Sequence, residues 1–174
     1  MVVYLIGFMG SGKSTVGKKL SKRLGFAFID LDKEIERTEG RSVSKIFTEE
    51  GESYFRNIEA EVLRDCSKKS DTVISCGGGT PCFNENMEYM NNAGQTVYLE
   101  MTAAALMSRL IYSRSKRPLI AELDDSELDQ FIRKSLAERE KWYRKSMHIM
   151  EGLDPDINQL SSSLLQSPDP YNPR

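Results

Sequence analysis

No apolar stretch in these 174 residues approaches the ~20 needed to cross a bilayer. The N-terminal run Val2–Ile6 is too short for a secretory signal, with no basic leader before it and no small-residue cleavage site after it. Cysteine is scarce. Cys66, Cys76 and Cys82 form an odd set without metal-type spacing, so neither a disulfide framework nor a zinc site is expected, and a reducing cytoplasm is. A net charge of −2 argues against a nucleic-acid partner gripped by bulk electrostatics, so the basic residues are read one at a time. The single histidine, His148, falls in a weak strand segment and reads as structural or solvent-exposed. Internal repeats and low-complexity tracts are missing, and one domain is the simplest organisation for this length.

Against those absences stands a regular alternation of short apolar runs and helical patterns, the signature of a parallel sheet wrapped by helices. Strands are expected at Val2–Ile6, 26–31, 72–76, 96–99 and, more weakly, 147–150. The helix over 16–24 shows Val16, Leu20 and Leu24 at spacing four, with Lys18, Lys19, Lys22 and Arg23 turned to solvent. Residues 33–67 read as helical without a strand, with Phe55, Ile58 and Val62 as one buried stripe. Further helices are expected over Ala103–Ile111, 126–143 and about 156–166, the last with Ile157, Leu160, Leu164 and Leu165 on one face. The polar stretch 112–125 suits a lid, and 167–174 reads as a loose tail.

The strongest local signal is Gly7-Phe8-Met9-Gly10-Ser11-Gly12-Lys13-Ser14-Thr15, a Walker A pattern set between an apolar strand and a helix, the context that pattern requires. The bare pattern would occur by chance in about one chain in a hundred of this length. Backbone N–H groups of Gly10, Ser11, Gly12 and Thr15 would cradle a polyphosphate at the positive end of the helix. Lys13 would reach the β- and γ-phosphates, and the Ser14 hydroxyl would ligate Mg²⁺.

The second strand ends in Asp30-Leu31-Asp32. Alternation places both carboxylates on one side, at the carboxyl end where open parallel sheets bind ligands. Either could instead cap the helix that follows; Asp30 is expected to cap, and Asp32 to act. Gly77, Gly78 and Gly79 follow the third strand and serve either a tight turn or a close approach of backbone amides to a ligand, or both. Arg139 continues the apolar stripe Leu128, Ile132, Leu136, where an arginine calls for an anion, a buried ion pair or a stripe that has drifted to the surface. Arg56 either binds an anion or pairs with Glu59 on a helix surface. Arg117 lies in the polar stretch, where a closing lid would bring a cation over transferring phosphates. Two GTPase signatures, Asp-x-x-Gly after a strand and Asn/Thr-Lys-x-Asp, do not occur. The residues alone therefore point to an ATP-dependent kinase of a small anion, and a gluconate-type kinase stays open at this level.

Taken in order, Gly7-x-Met9-Gly10-x-Gly12-Lys13-Ser14-Thr15, Phe28-x-Asp30-x-Asp32, Ile46-Phe47 with Gly51-Glu52-x-x-Phe55-Arg56, Gly77-Gly78-Gly79 and Arg117-Pro118-Leu119 resemble the motifs of the shikimate kinase family, from Val2 to about residue 165. The resemblance implies a three-layer αβα P-loop fold, a five-stranded parallel sheet and a lid like that of nucleoside monophosphate kinases. It implies ATP as co-substrate, Mg²⁺, and phosphorylation of the 3-hydroxyl of shikimate in aromatic amino acid biosynthesis, in a cytoplasmic monomer without nucleic-acid or membrane partners. By the same resemblance, Arg56, Arg139 and the backbone of Gly77, Gly78 and Gly79 hold shikimate, while Asp32 meets its reacting hydroxyl and holds Mg²⁺ through water. Arg117 joins ATP from the lid, and Arg109 and Pro155 enclose adenine. One departure stands out: the family shows Arg-x-Pro-Leu-Tyr where this chain has Arg139-Glu140-Lys141-Trp142-Tyr143, so no proline stops the helix there.

Overall fold

Five strands run parallel in the order β2-β3-β1-β4-β5. They are β1 Val2–Ile6, β2 Ala27–Asp30, β3 Thr72–Ser75, β4 Gln95–Glu100 and β5 His148–Glu151. This computed structural model describes residues 1–114 and 118–167. β1 is central and its five residues are all buried, as expected of a strand covered on both faces. The period of two then divides its side chains: Val2, Tyr4 and Ile6 enter one core, Val3 and Leu5 the other.

On the Val3/Leu5 face, α1 (Lys13–Leu24) packs Val16 and Leu20, beside Leu160 and Leu164 of α7 (Ile157–Gln166). On the Tyr4 face lie α2 (Leu31–Glu39), α3 (Val43–Ser67) and α4 (Asn86–Ala93), contributing Leu31, Ile35, Ile46, Phe55, Leu63, Met87 and Met90. α5 (Ala103–Ile111) and α6 (Asp125–Tyr143) enclose a third cluster with Phe8, Met101, Leu110 and Ile120, the last from a short 3₁₀ turn at Pro118–Ile120. The result is a sheet between two helical layers.

Helix ends follow local chemistry. α6 begins with a capping box in which Asp124 and Glu127 satisfy each other's backbone N–H groups, and its Lys-Trp pair lets it run on to Tyr143. α3 is bent at Gly51, so its two halves are separate helices in all but continuity. Two expectations are corrected, beside one helix for which none was stated. α4 lacks a long apolar stripe and was not foreseen; Met87 and Met90, one turn apart, seat it. Leu165 is exposed, and α7 instead buries Ser161 beside Leu160 and Leu164. Ile58 is only half-buried, while the neighbouring Glu59 is buried. All three cysteines are free. Among the described residues no helix is long and apolar enough to cross a membrane. The tail from 168 and residues 115–117 of the expected lid lie outside the described residues.

Topology places the site. The chain leaves β1 toward β2 on one side, and after β3 crosses to β4 on the other. The carboxyl ends of β1, β3 and β4 therefore meet at a topological switch point, where a crevice forms.

Candidate active site

A cavity of about 280 Å³ opens at that point, lined by Met9, Gly10, Gly12 to Thr15, Asp30, Asp32, Ser75 to Gly78. One wall is the loop after β1. Gly12 takes φ 98°, a left-handed conformation that lets the chain turn straight into α1. The first turn of α1 contains no acidic residue of its own, so the positive end of the helix lies at the cavity. Lys13 is buried and its Nζ donates to the carbonyl oxygens of Gly7 (2.8 Å) and Phe8 (2.9 Å), which holds the ammonium across the loop. Ser11, expected among the phosphate-binding residues, is fully buried, and among the described residues its hydroxyl finds no partner.

The floor is acidic and oxygen-rich. Ser14 Oγ donates to Asp30 Oδ2 at 2.9 Å and lies 3.3 Å from Ser75 Oγ. Asp30 was expected to cap α2; it occupies the N-cap position, yet its carboxylate makes no cap bond and turns to Ser14 instead. Asp32 is not on the strand at all but in the first turn of α2, and the bend at Leu31 still brings both carboxylates to the cavity. Asp32 is exposed to the solvent of the cavity, yet the protein packed around its carboxyl desolvates it and pushes it up to about 6, with the nearby charges of Asp30 and Glu59 adding to the rise and Lys13 opposing it. Hydroxyl and carboxylate oxygens are the donors a hard cation such as Mg²⁺ prefers. Among the described residues no group of three or more His, Cys, Asp or Glu converges to hold a metal. A cation here would be shared with ligand oxygens, as suits Mg²⁺ beside phosphates.

Arg56 and Arg139 are not among the residues lining this cavity but pack beside the glycines after β3; Arg56 is nearly enclosed, its side chain 12% exposed. Its Nη1 donates to Glu59 Oε2 (2.7 Å), and Nε and Nη2 donate to Glu52 Oε1 (3.2 and 3.0 Å). The Arg56–Glu59 pair foreseen as a surface alternative is made, but inside the protein. Glu59 is 1% exposed and also accepts from Thr80 Oγ1 at 2.5 Å. A Cβ on Gly79 would sit 2.6 Å from Arg56 Nη2, so the absence of a side chain there is what admits the guanidinium. Arg139 lies over the Phe8 ring (5.6 Å), and a Cβ on Gly78 would meet its Nη1 at 3.5 Å. The Tyr143 hydroxyl donates to the Gly78 carbonyl at 2.5 Å. Burial pushes the Cys82 thiol up to about 11, while the charges of Arg139 and Arg56 oppose the rise.

The remaining residues divide. Arg109 hydrogen-bonds the carbonyls of Gly10 and Ser11 and those of Gly152 and Leu153, tying the phosphate loop to the turn after β5. Pro155 lines a separate depression of about 340 Å³ between β5 and α7. His148 Nε2 donates to Gln95 Oε1 at 2.9 Å, in keeping with a structural role. Arg117 lies outside the described residues. Ser75, Thr80 and the turn of Asp30 toward Ser14 were not foreseen, and Glu59 was foreseen only as a surface partner of Arg56. Glu59 alone carried a signal, three residues from Arg56 on one helix; the others are joined only by the fold.

The family model for shikimate kinase matches residues 9–167. A shikimate kinase of Phocaeicola vulgatus is 41% identical over 163 residues, 93% of each chain. A crystal structure of shikimate kinase from Bacteroides thetaiotaomicron superposes with a TM-score of 0.88 at 36% identity, covering 95% of this chain and 97% of that one. Shikimate kinase from Acinetobacter baumannii in complex with shikimate gives 0.83 at 34%, covering 95% and 90%. A gluconokinase from Sinorhizobium meliloti, at 16% identity and a TM-score of 0.54, shares the fold alone.

Proposed function

The chain belongs to the shikimate kinase family, and from that premise we propose how its two-sided cavity transfers the γ-phosphoryl group of ATP to the 3-hydroxyl of shikimate, releasing shikimate 3-phosphate and ADP. The observation that supports this reading is the juxtaposition of two unlike walls. A phosphate-type loop with a buried lysine lines one side and Gly77 and Gly78 the other, with Asp32 among the lining residues; Arg139 packs next to Gly78 and Arg56 next to the adjoining Gly79.

Gly10, Ser11, Gly12, Lys13 and Thr15 hold the ATP phosphates, and Arg109 and Pro155 flank the adenine. Arg56 and Arg139 take the carboxylate of shikimate, for which a planar guanidinium offers matched donors, and the amides of Gly77, Gly78 and Gly79 meet its hydroxyls. Anchored so, the acceptor's 3-hydroxyl faces the γ-phosphorus in line. Its oxygen forms the new P–O bond as the bond to the β-phosphate oxygen breaks, and its proton passes to Asp32. A carboxyl near 6 is well matched to receive a proton at neutral pH. Lys13 and Arg117, carried on a lid over 112–125, spread the charge that develops on the equatorial oxygens. Mg²⁺ held by Ser14 and, through water, by Asp32 beside Asp30 would neutralise phosphate charge. We propose further that the chain acts as a single-domain cytoplasmic monomer, without nucleic-acid or membrane partners.

Release of ADP, measured in a coupled assay with shikimate, with gluconate and with no acceptor, tests the assignment. Turnover should require shikimate. Acceptor-independent hydrolysis, or a response to gluconate in place of shikimate, would overturn it.

A further inference from the structure

Resting on the reading of Arg56 as a holder of the acceptor's carboxylate, we propose that Phe83 and Asn84, just beyond the 3₁₀ turn Thr80–Cys82, form a clasp that positions the Arg56 guanidinium and so tunes acceptor binding. The Phe83 ring centroid lies 4.1 Å from Arg56 Cζ, closer than the rings of Phe55 (5.1 Å) or Phe47 (5.9 Å). Phe83 is nonetheless 38% exposed, so core burial does not explain why a large apolar ring stands there. The next residue holds the same arginine by its backbone: Asn84 Nδ2 donates to the Arg56 carbonyl at 2.7 Å. To do so Asn84 takes φ 50°, a left-handed conformation that few residues other than glycine adopt and that asparagine tolerates best. Arg64 Nη2 braces the turn from outside through the Asn84 carbonyl at 3.2 Å.

The clasp acts on the arginine's freedom. Arginine is a long, rotamer-rich side chain, and its binding value depends on how little of that freedom is lost when the ligand arrives. Glu52 and Glu59 engage Nε, one N–H of Nη2 and one of Nη1. Among the described residues, one N–H on each terminal nitrogen makes no hydrogen bond, which leaves donors for a ligand carboxylate. Phe83 covers the guanidinium by cation–π attraction, and Gly79 leaves it room. Phe83 is thus a positioning residue for substrate affinity, with no part in the chemical step.

Phe83→Leu should raise the KM for shikimate about fivefold, which at 1.4 kcal/mol per decade equals the ~1 kcal/mol of a partly exposed cation–π contact. kcat, the KM for ATP and the melting temperature should stay at wild-type values, and Phe83→Tyr, which keeps a ring face, should restore the KM. In an Arg56→Ala background, Phe83→Leu should have no further effect on the KM. A wild-type shikimate KM in Phe83→Leu, or effects that add in the double variant, would overturn the clasp while leaving the kinase reading intact. Absence of shikimate-dependent turnover in the wild-type protein would instead defeat the reading on which the clasp rests.

Discussion

Replacing Asp32 by Asn keeps the side chain's size and removes its charge, so rate and stability should move in opposite directions. Burial, Asp30 and Glu59 lift the Asp32 carboxyl from 3.8 to about 6. A gap of about two pK units is worth ~3 kcal/mol if undiminished. Asp32 opens onto the solvent of the cavity, so screening reduces the net cost of its charge to about 1 kcal/mol. A raised folded-state pKa means that the folded protein binds this proton more tightly than the unfolded chain does. The stabilising contribution of protonation is therefore complete below about pH 3.8 and lost as pH rises through about 6. Asp32→Asn escapes that loss. At pH 7.5 it should melt about 2–4 °C above the wild type, an advantage that vanishes near pH 4. Turnover should fall about 10²–10⁴-fold, with the KM for ATP unchanged. The acid limb near pH 6 in the wild-type kcat/KM profile should disappear with it. Thermal melts at both pH values and the coupled ADP assay together decide the matter. A variant that turns over like the wild type, or melts identically at pH 7.5, refutes the reasoning.

Glu59→Ala leaves the Thr80 hydroxyl without its acceptor and Arg56 with Glu52 alone, and should cost about 2–4 kcal/mol in a denaturant titration. It should also move the acid limb of the kcat/KM profile below pH 6, because Glu59 is one of the charges holding Asp32 up; an unmoved limb would contradict that coupling. Gly79→Ala places a methyl group 2.6 Å from Arg56 Nη2 and must displace the flexible end of that side chain. Shikimate KM should climb about tenfold or more while ATP binding holds, and a KM left unchanged would show that Arg56 does not need its present place. Arg139→Lys keeps the charge but loses the planar fork, so a rise of about tenfold in shikimate KM is expected; an equal loss in ATP affinity would assign Arg139 to the other substrate.

Local chemistry made much of the site legible before any fold was known. The Walker pattern names its own backbone geometry because only glycines reach the torsions that such a loop needs, and the strand and helix beside it are set by short-range periodicity. The apolar runs that became β1, β3 and β4 were readable for the same reason. Asp30 and Asp32 illustrate the boundary. Their location at a strand's carboxyl end followed from the sequence, but strand alternation was the wrong argument, because the chain had already turned into α2 at Leu31. Asp30 looked like a cap since capping is local; its partner Ser14 is sixteen residues away. Arg56 and Glu59 were visible as a possible pair, and nothing local could say whether the pair was wet or buried.

What the sequence determined by itself is therefore the phosphate-binding half, the parallel sheet and the family, each carried by contiguous residues whose meaning is local. What only the tertiary structure decided is how the residues proposed for the acceptor, Arg56, Arg139 and the glycines after β3, are packed together. Gly79 beneath Arg56, Phe83 over it, Thr80 on Glu59 and Tyr143 on Gly78 are contacts between α3, the turn after β3 and α6. Those contacts join residues from three segments of the chain, and no spacing along one segment encodes them. They exist because the fold packs α3 and α6 against the turn after β3, where burial then fixes which charges must pair.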